Sequence, residues 1–320
     1  MALTYTQITA MTESYFLKKL ADGIYNSKAL VARLGRPGKL KLLDGGTKII
    51  TPVINSKPGT SGRFYEDLET LNSDRTDNVT AAEFQWVQQY EPIRVSRKEL
   101  LINMGDAAKL SLIAGKMEIA QENIDDVTGL GIFSDGTAAT GALTTLQHTG
   151  LGAIISTTST YGGIATADFA EWVAIVKSNS GTARALSLNL LNSAIGSLTV
   201  GKNRPTIGVS RQNVNDELWT LFQPHQRLMS GEMGKLGFEN VLEVNGIPFI
   251  VDSHADAGAF HLLNENFLFL AVHKEENWRK ETLERLETTN SMLTRFFWMG
   301  NLICNNRRFQ GKLSDIDVAA

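Results

Sequence analysis

The chain has 320 residues, a hydrophobic fraction of 42% and a formal net charge of −3, so it can bury a sizeable core and exceeds a single small module. Such a charge excludes the strongly basic face of a nucleic-acid reader, and the composition excludes a disordered chain. Cys304 is the one cysteine, which rules out an intrachain disulfide and a thiolate metal cage. Beside Leu302 and Ile303 it reads as a buried small hydrophobe. Lys18, Lys19 and Asp22 interrupt the apolar N-terminal positions, so no secretory signal is expected. No run approaches the ~20 apolar residues of a membrane helix.

Residues 6 to 34 read as a helical arm with a break near Asn26–Ser27. Phe16, Leu17, Leu20 and Ile24 form one apolar stripe, which Ala29, Leu30 and Leu34 continue. Gly35, Pro37 and Gly38 stop it. A stripe with no partner nearby in sequence must dock on something distant, a neighbouring subunit included. After Gly45–Gly46, the β-branched run Thr47 to Ile54 predicts a strand, with Pro52 favouring an edge. A second strand is expected at about 82 to 95. Between them, Lys57 to Thr80 is polar and charged with both signs. A two-stranded ribbon with so long a tip is marginal alone, and an extended hairpin laid on a neighbouring subunit accounts for it.

Ser96-Arg97-Lys98-Glu99 is a capping box and opens a long helix to about Leu130. Gly105 and Gly115 suggest a bend or a close backbone contact, each costing roughly 1 kcal/mol against alanine. Gly129, Gly131 and the turn Ser134 to Thr137 are expected to end the helix. Residues 138 to 165 read as a Gly/Thr/Ser-rich connector with few anchors. Helices are expected from Thr166 to Asn179, Ser187 to Leu198 and Val214 to Phe222, with a strand at Thr206 to Val209. Asn245–Gly246 between two apolar runs marks a tight hairpin over 241 to 251. Strands follow at Ala259 to Leu263 and Phe267 to Val272, then a charged stretch Lys274 to Glu287, then an apolar strand Met292 to Met299.

Chemistry is sparse. Asp252, His254, Asp256 and His261 cluster after a strand end, where α/β sheets often place ligands, but their spacing matches no metal signature. A soluble α/β enzyme using this segment is the enzymatic alternative. No nucleophile elbow, P-loop, zinc-protease or dinucleotide fingerprint is present. Arg307–Arg308 beside Phe309 reads as a donor pair for inter-subunit salt bridges. No catalytic residue, cofactor or metal ligand is assigned.

The order of these parts resembles the Hong Kong 97-type major capsid proteins of tailed bacteriophages: the arm, the long loop opened by Asp44-Gly45-Gly46-Thr47, the capped long helix, the α/β region ending in a Gly-Ile-Pro hairpin, and the β-rich return. The resemblance covers nearly the whole chain and implies an α+β fold. Residues 1–44 would be the N-arm and 45–95 the E-loop. Residues 96–137 would be the P-domain with its spine helix, 138–257 an α/β A-domain, and 258–320 the return strands of the P-domain. It implies self-assembly through hexamers and pentamers into an icosahedral shell around double-stranded DNA, which is touched only non-specifically. The virion would be built in the host cytoplasm with a separate scaffolding protein, a portal protein and, in some shells, a decoration protein, without a membrane. Inter-subunit contacts are expected at Phe16, Leu20, Lys57, Arg63, Arg75, Arg307 and Arg308, and helix bending at Gly105 and Gly115. Met1 runs directly into the arm, so no cleaved N-terminal segment is expected. Lys57 is the natural cross-linking lysine and Asn305 or Asn306 the acceptor, yet nothing marks a buried glutamate beside them, so a noncovalent shell is expected. An encapsulin-like nanocompartment on the same fold, or another virion part, are the remaining alternatives.

Overall fold

Apolar residues from distant parts of the chain alternate into two large sheets and one hairpin. The computed structural model describes residues 29–36, 38–54, 64–69, 79–102, 106–136, 147–166, 169, 171–222, 242–282, 284–285 and 289–318. Of the expected arm, only helix α1, Ala29–Leu34, lies among them. Its Leu30, Val31 and Leu34 are buried in the core of the same chain. Arg33 seals the contact with a two-pronged pairing to Glu265, at 2.6 and 2.7 Å. This end of the arm's stripe therefore docks at home and not on a neighbour.

The first sheet is five-stranded. Strand β1, Leu40–Leu43, runs parallel to β10, Leu268–Lys280, and β10 is antiparallel to β12, Ser291–Cys304. β12 pairs on its other side with β4, Val87–Ser96, and β11, Glu284–Arg285, adds a short antiparallel pairing to it. The hairpin pairs β2, Ile49–Ile54, with β3, Val79–Phe84. The strand expected over 82 to 95 is thus two strands in two different sheets. The corner is pinned at Gln85–Trp86, where the Trp86 indole donates to the Gly46 carbonyl (2.8 Å) and Asn301 Nδ2 donates to the Gln85 carbonyl (3.0 Å). Those partners lie far off in sequence, so local pattern could not reveal the break. Likewise the charged stretch after Val272 is no separate segment. β10 continues into it as far as Lys280 with two register shifts, one of which turns Trp278 (φ +55°, 5% exposed) into the core.

Ser96 and Glu99 form the expected reciprocal cap: Ser96 N–H donates to Glu99 Oε2 (2.8 Å) and Lys98 N–H to Ser96 Oγ (3.2 Å). Helix α2, Arg97–Ile102, follows, and the long helix α3 spans Asp106–Phe133. Gly105 lies outside the described residues. Gly115 sits inside α3 with open space where a Cβ would go, so the close-contact explanation of this glycine fails. Gly129 and Gly131 do not end the helix, which passes through both. They are there because two histidine rings lie on the helix backbone. A Cβ at Gly129 would meet His254 Nδ1 at 2.6 Å, and one at Gly131 would run into His148 Cδ2. Met117, Ala120, Ile124 and Ile132 join the main core.

The second sheet has six strands in the order β5 (Ile175–Lys177), β13 (Gly311–Leu313), β9 (Phe260–Leu263), β6 (Ile207–Ser210), β8 (Ile247–Val251), β7 (Leu242–Val244). The β7–β8 hairpin turns on Asn245 (φ +53°) and Gly246 (φ +70°), the double positive φ that favours this pair. Short helix α4, Leu151–Ile154, lies in the expected connector, whose described part is well anchored by Leu151, Ile154, Tyr161 and Ile164. Helix α5, Leu188–Leu198, is capped by Ser187 and buries Leu191, Ala194, Ile195 and Leu198. Helix α6, Gln212–Phe222, buries Val214 and Leu218. No helix is described over 166 to 179. The segment around buried Trp172 turns instead into β5, which needs β13 as its parallel partner.

The two kinds of helical glycine give opposite outcomes on substitution. Gly115→Ala raises stability by up to about 1 kcal/mol through helix propensity. Gly131→Ala lowers it by about 1–3 kcal/mol by overpacking against His148. Urea denaturation midpoints of the two variants against the parent check both signs.

Candidate assembly surfaces and the buried hub between the sheets

One buried cation sits in the link between the two sheets, between β12 and β13. Arg307 follows β12 in a 3₁₀ turn capped by Asn306, and is 0% exposed. Its Nε donates to the Ile154 carbonyl (2.7 Å) and Nη1 to those of Ser159 (3.2 Å) and Trp172 (3.3 Å). Nη2 donates to the carbonyls of Ala153 (3.2 Å) and Ser156 (2.7 Å) and to Ser159 Oγ (3.4 Å). Among the described residues no carboxylate pairs with it. The charge is met by carbonyl dipoles and by the face of Tyr161, 5.1 Å from the guanidinium carbon. Burial lowers the Arg307 pKa, but a guanidinium starts so high that it stays charged. Tyr161 is held neutral, its pKa raised well above the ordinary value by burial, and its hydroxyl accepts from the Cys304 N–H at 2.9 Å. The Cys304 thiol is pushed up to about 12 by burial, so it is inert, as its apolar neighbours imply. Arg307 is therefore not an inter-subunit donor: every N–H it has is used inside its own chain. Arg308 donates to the Ser197 carbonyl at 3.1 Å and is only partly buried.

Tyr161 carries the hub onward to the root of the hairpin. Its ring lies 4.9 Å from Phe84, and Glu83 N–H donates to the Gly162 carbonyl at 2.9 Å. Gly162 needs its φ of +61° and its missing Cβ, which would stand 2.7 Å from the Ala82 Cβ. The hairpin thus leaves the body in a fixed direction. In the loop it carries, residues 64–69 form a turn with Glu69 N–H donating to the Glu66 carbonyl (3.1 Å) and Leu68 at φ +69°. Phe64 and Leu68 are fully exposed there, beside Tyr65 and the acidic Glu66, Asp67 and Glu69. On α2, exposed Leu101 and Ile102 lie next to exposed Arg97 and Lys98. Large apolar side chains exposed next to one another make these two places candidates for contact surfaces. Phe16, Leu20, Lys57, Arg63 and Arg75 lie outside the described residues.

The segment Asp252 to His261 is used for internal contacts. Asp252 Oδ1 accepts from the His254 N–H (3.0 Å), and His254 Nε2 is 2.8 Å from Asp126 on α3. His261 Nε2 lies 3.4 Å from Asp256, which also pairs with Lys312. His261 first, and Lys312 after it, hold the Asp256 carboxyl well below the ordinary range. Among the described residues no group of three His, Cys, Asp or Glu side chains is placed to hold a metal ion, and no helix is long and apolar enough to cross a membrane. Asn306 spends its side-chain oxygen capping Arg308.

No family model matches the chain, and no curated protein matches it in sequence. Solved structures do match. The capsid protein of cyanophage A-1(L) superposes with a TM-score of 0.65 over 87% of this chain and 90% of its own, at 16% identity. The fold is that of a phage capsid protein. The Gordonia phage Cozz structure shares it (TM-score 0.56, 15% identity, 92% of this chain and 87% of that one). So does the SrpI encapsulin of Synechococcus elongatus PCC 7942 (TM-score 0.52, 10% identity, 91% and 88%). The α+β capsid fold implied by the order of sequence elements is therefore present. Sequence reading overlooked Tyr161 and Gly162, and took Gly129 and Gly131 for a helix stop. The one available signal was a Gly-x-Gly inside an otherwise helical pattern.

Arg307→Lys retains the charge with three donors in place of five and leaves buried carbonyls unpaired. A loss of about 2–4 kcal/mol is expected in denaturant unfolding, whereas Arg308→Lys on the half-open side changes stability by less than about 1 kcal/mol.

Proposed function

We propose that the protein is the major capsid protein of a tailed bacteriophage, assembling through hexamers and pentamers into an icosahedral shell around double-stranded DNA. The observation that carries this reading is that the fold match runs through nearly all of both chains, 87% of this one and 90% of the cyanophage capsid protein. Little of either chain is left over for another activity, and the one cluster with chemical promise, Asp252 to His261, is engaged in internal pairing. The role is structural and not enzymatic. In this reading residues 1–44 are the N-arm, 45–95 the E-loop, 96–137 the start of the P-domain, 138–257 the A-domain and 258–320 the return. Phe16, Leu20, Lys57, Arg63, Arg75 and Arg308 are contacts between subunits, and Gly105 and Gly115 allow the spine helix to bend. A separate scaffolding protein, a portal and, where present, a decoration protein are the partners, and assembly takes place in the host cytoplasm.

Complementary charge supports a specific contact. The turn 64–69 offers Phe64 and Leu68 among carboxylates, and α2 offers Leu101 and Ile102 beside Arg97 and Lys98. Docking the turn of one copy on α2 of the next joins apolar to apolar and acid to base. Repeated around a closed lattice, individually weak contacts of this kind hold a shell through multivalency.

A second reading, an encapsulin-like compartment, is favoured by the SrpI match. Electron microscopy of the purified protein, with nuclease-protected nucleic acid and co-purifying proteins measured on the same particles, separates the readings. Closed shells with protected DNA are expected from phage-infected cells. Shells holding a cargo protein mean the compartment, and a small soluble oligomer defeats both. Charge reversal tests the contact: Glu66→Lys with Asp67→Lys abolishes shell formation in a folded protein, and adding Arg97→Glu with Lys98→Glu restores it.

A further inference from the structure

Three of the five histidines converge on one short stretch of the long helix. They come from different parts of the chain. His148, just before α4, lies on Gly131 and 5.0 Å from the Trp298 ring of β12. His254, in the loop after β8, lies on Gly129 and pairs with Asp126. His261, in the middle of β9, meets Phe133 edge-on at 5.5 Å. Together they clamp residues 126 to 133 of α3 against both sheets, which makes this helix end the joint between them.

The three rings differ in what a proton would meet. On His254 it sits between Asp126 (2.8 Å) and Asp252 (3.6 Å). On His261 it is 3.4 Å from Asp256, with Lys312 on the far side of that carboxylate. Among the described residues His148 has no such partner. It is 6% exposed, and its surroundings are Gly131 from the helix, Ser134 just beyond it, Trp298 from β12, and the Thr149–Asn301 hydrogen bond. The acidic residue beyond the helix end, Asp135, is exposed.

We propose that the end of the long helix is an acid-releasable joint, in which His148 is the element that lets go when it is protonated. Burial alone lowers its pKa to about 4, from an ordinary value near 6.5. The folded value is the depressed one, so the closed joint is fully stable above the ordinary pKa. That stability is lost as the pH falls from about 6.5 towards 4, because the opened state takes up the proton first. By pH 4 the opening constant has risen about a hundredfold. Carboxylates stand beside His254 and His261, and among the described residues none stands beside His148, so the release is assigned to His148.

Hydrogen exchange of the full-length protein, resolved to residues 128–135 and 148–155 and corrected for intrinsic rates, reads this between pH 7 and 4. The expected result is a steep loss of protection confined to those segments, absent in His148→Gln and retained in His254→Gln. His148→Phe, which keeps a ring over Gly131 and beside Trp298, is the second variant if glutamine is not tolerated, and it too should show a flat profile. A flat profile in the parent protein, or a parent-like profile in either His148 variant, overturns the proposal. The inference does not depend on shell formation, since the readout is local to one chain.

Discussion

A guanidinium buried without a counter-ion constrains everything around it. Moving Arg307 from water into the interior is costly, and only its full set of hydrogen bonds offsets that cost. The donors reach carbonyls at 153, 154, 156, 159 and 172, so five points on a segment with little regular secondary structure are held by one side chain. That segment cannot shift without leaving a buried charge unsatisfied. Tyr161 and Cys304 stay neutral, so no nearby ionisation disturbs the arrangement.

The consequences spread in two directions. Towards the hairpin, Tyr161 and Gly162 fix the root of β2 and β3 through Phe84, Ala82 and the Glu83 amide. The base of the hairpin is thus aimed by the same residue that caps the cation. Towards the second sheet, the chain passes buried Trp172 into β5, which pairs with β13, a strand that begins at Gly311, four residues after Arg307. One core therefore serves both the root of the hairpin and the junction of the sheets.

The long helix belongs to this system at its C-terminal end. There the packing is by histidine on glycine, a close contact that replaces the usual interlocking of aliphatic side chains. Its price is two glycines in a helix, each weakening it by roughly 1 kcal/mol. Its gain is that loops from both sheets approach the helix backbone directly. The exposed surfaces follow a different rule: Phe64 and Leu68 are set among carboxylates and Leu101 and Ile102 beside cations, the complementarity on which the proposed contact between copies rests.

Short-range chemistry was legible in the sequence. The capping box at Ser96–Glu99, the Asn245–Gly246 hairpin, the Ser187-capped helix, the buried Cys304 and the order of elements that implies the capsid fold each depend on a few neighbouring residues. What depended on distant partners was not. The division of 79–96 into two sheets rests on Gly46 and Asn301, and the strand in place of a helix near 175 rests on β13. The burial of Arg307 rests on carbonyls some 135 to 154 residues away. An arginine before an aromatic looks like a surface donor, and glycines near a helix end look like a stop, because pattern reads only the local chain. Only the tertiary structure supplies the carbonyls and the histidine rings that give those residues their meaning.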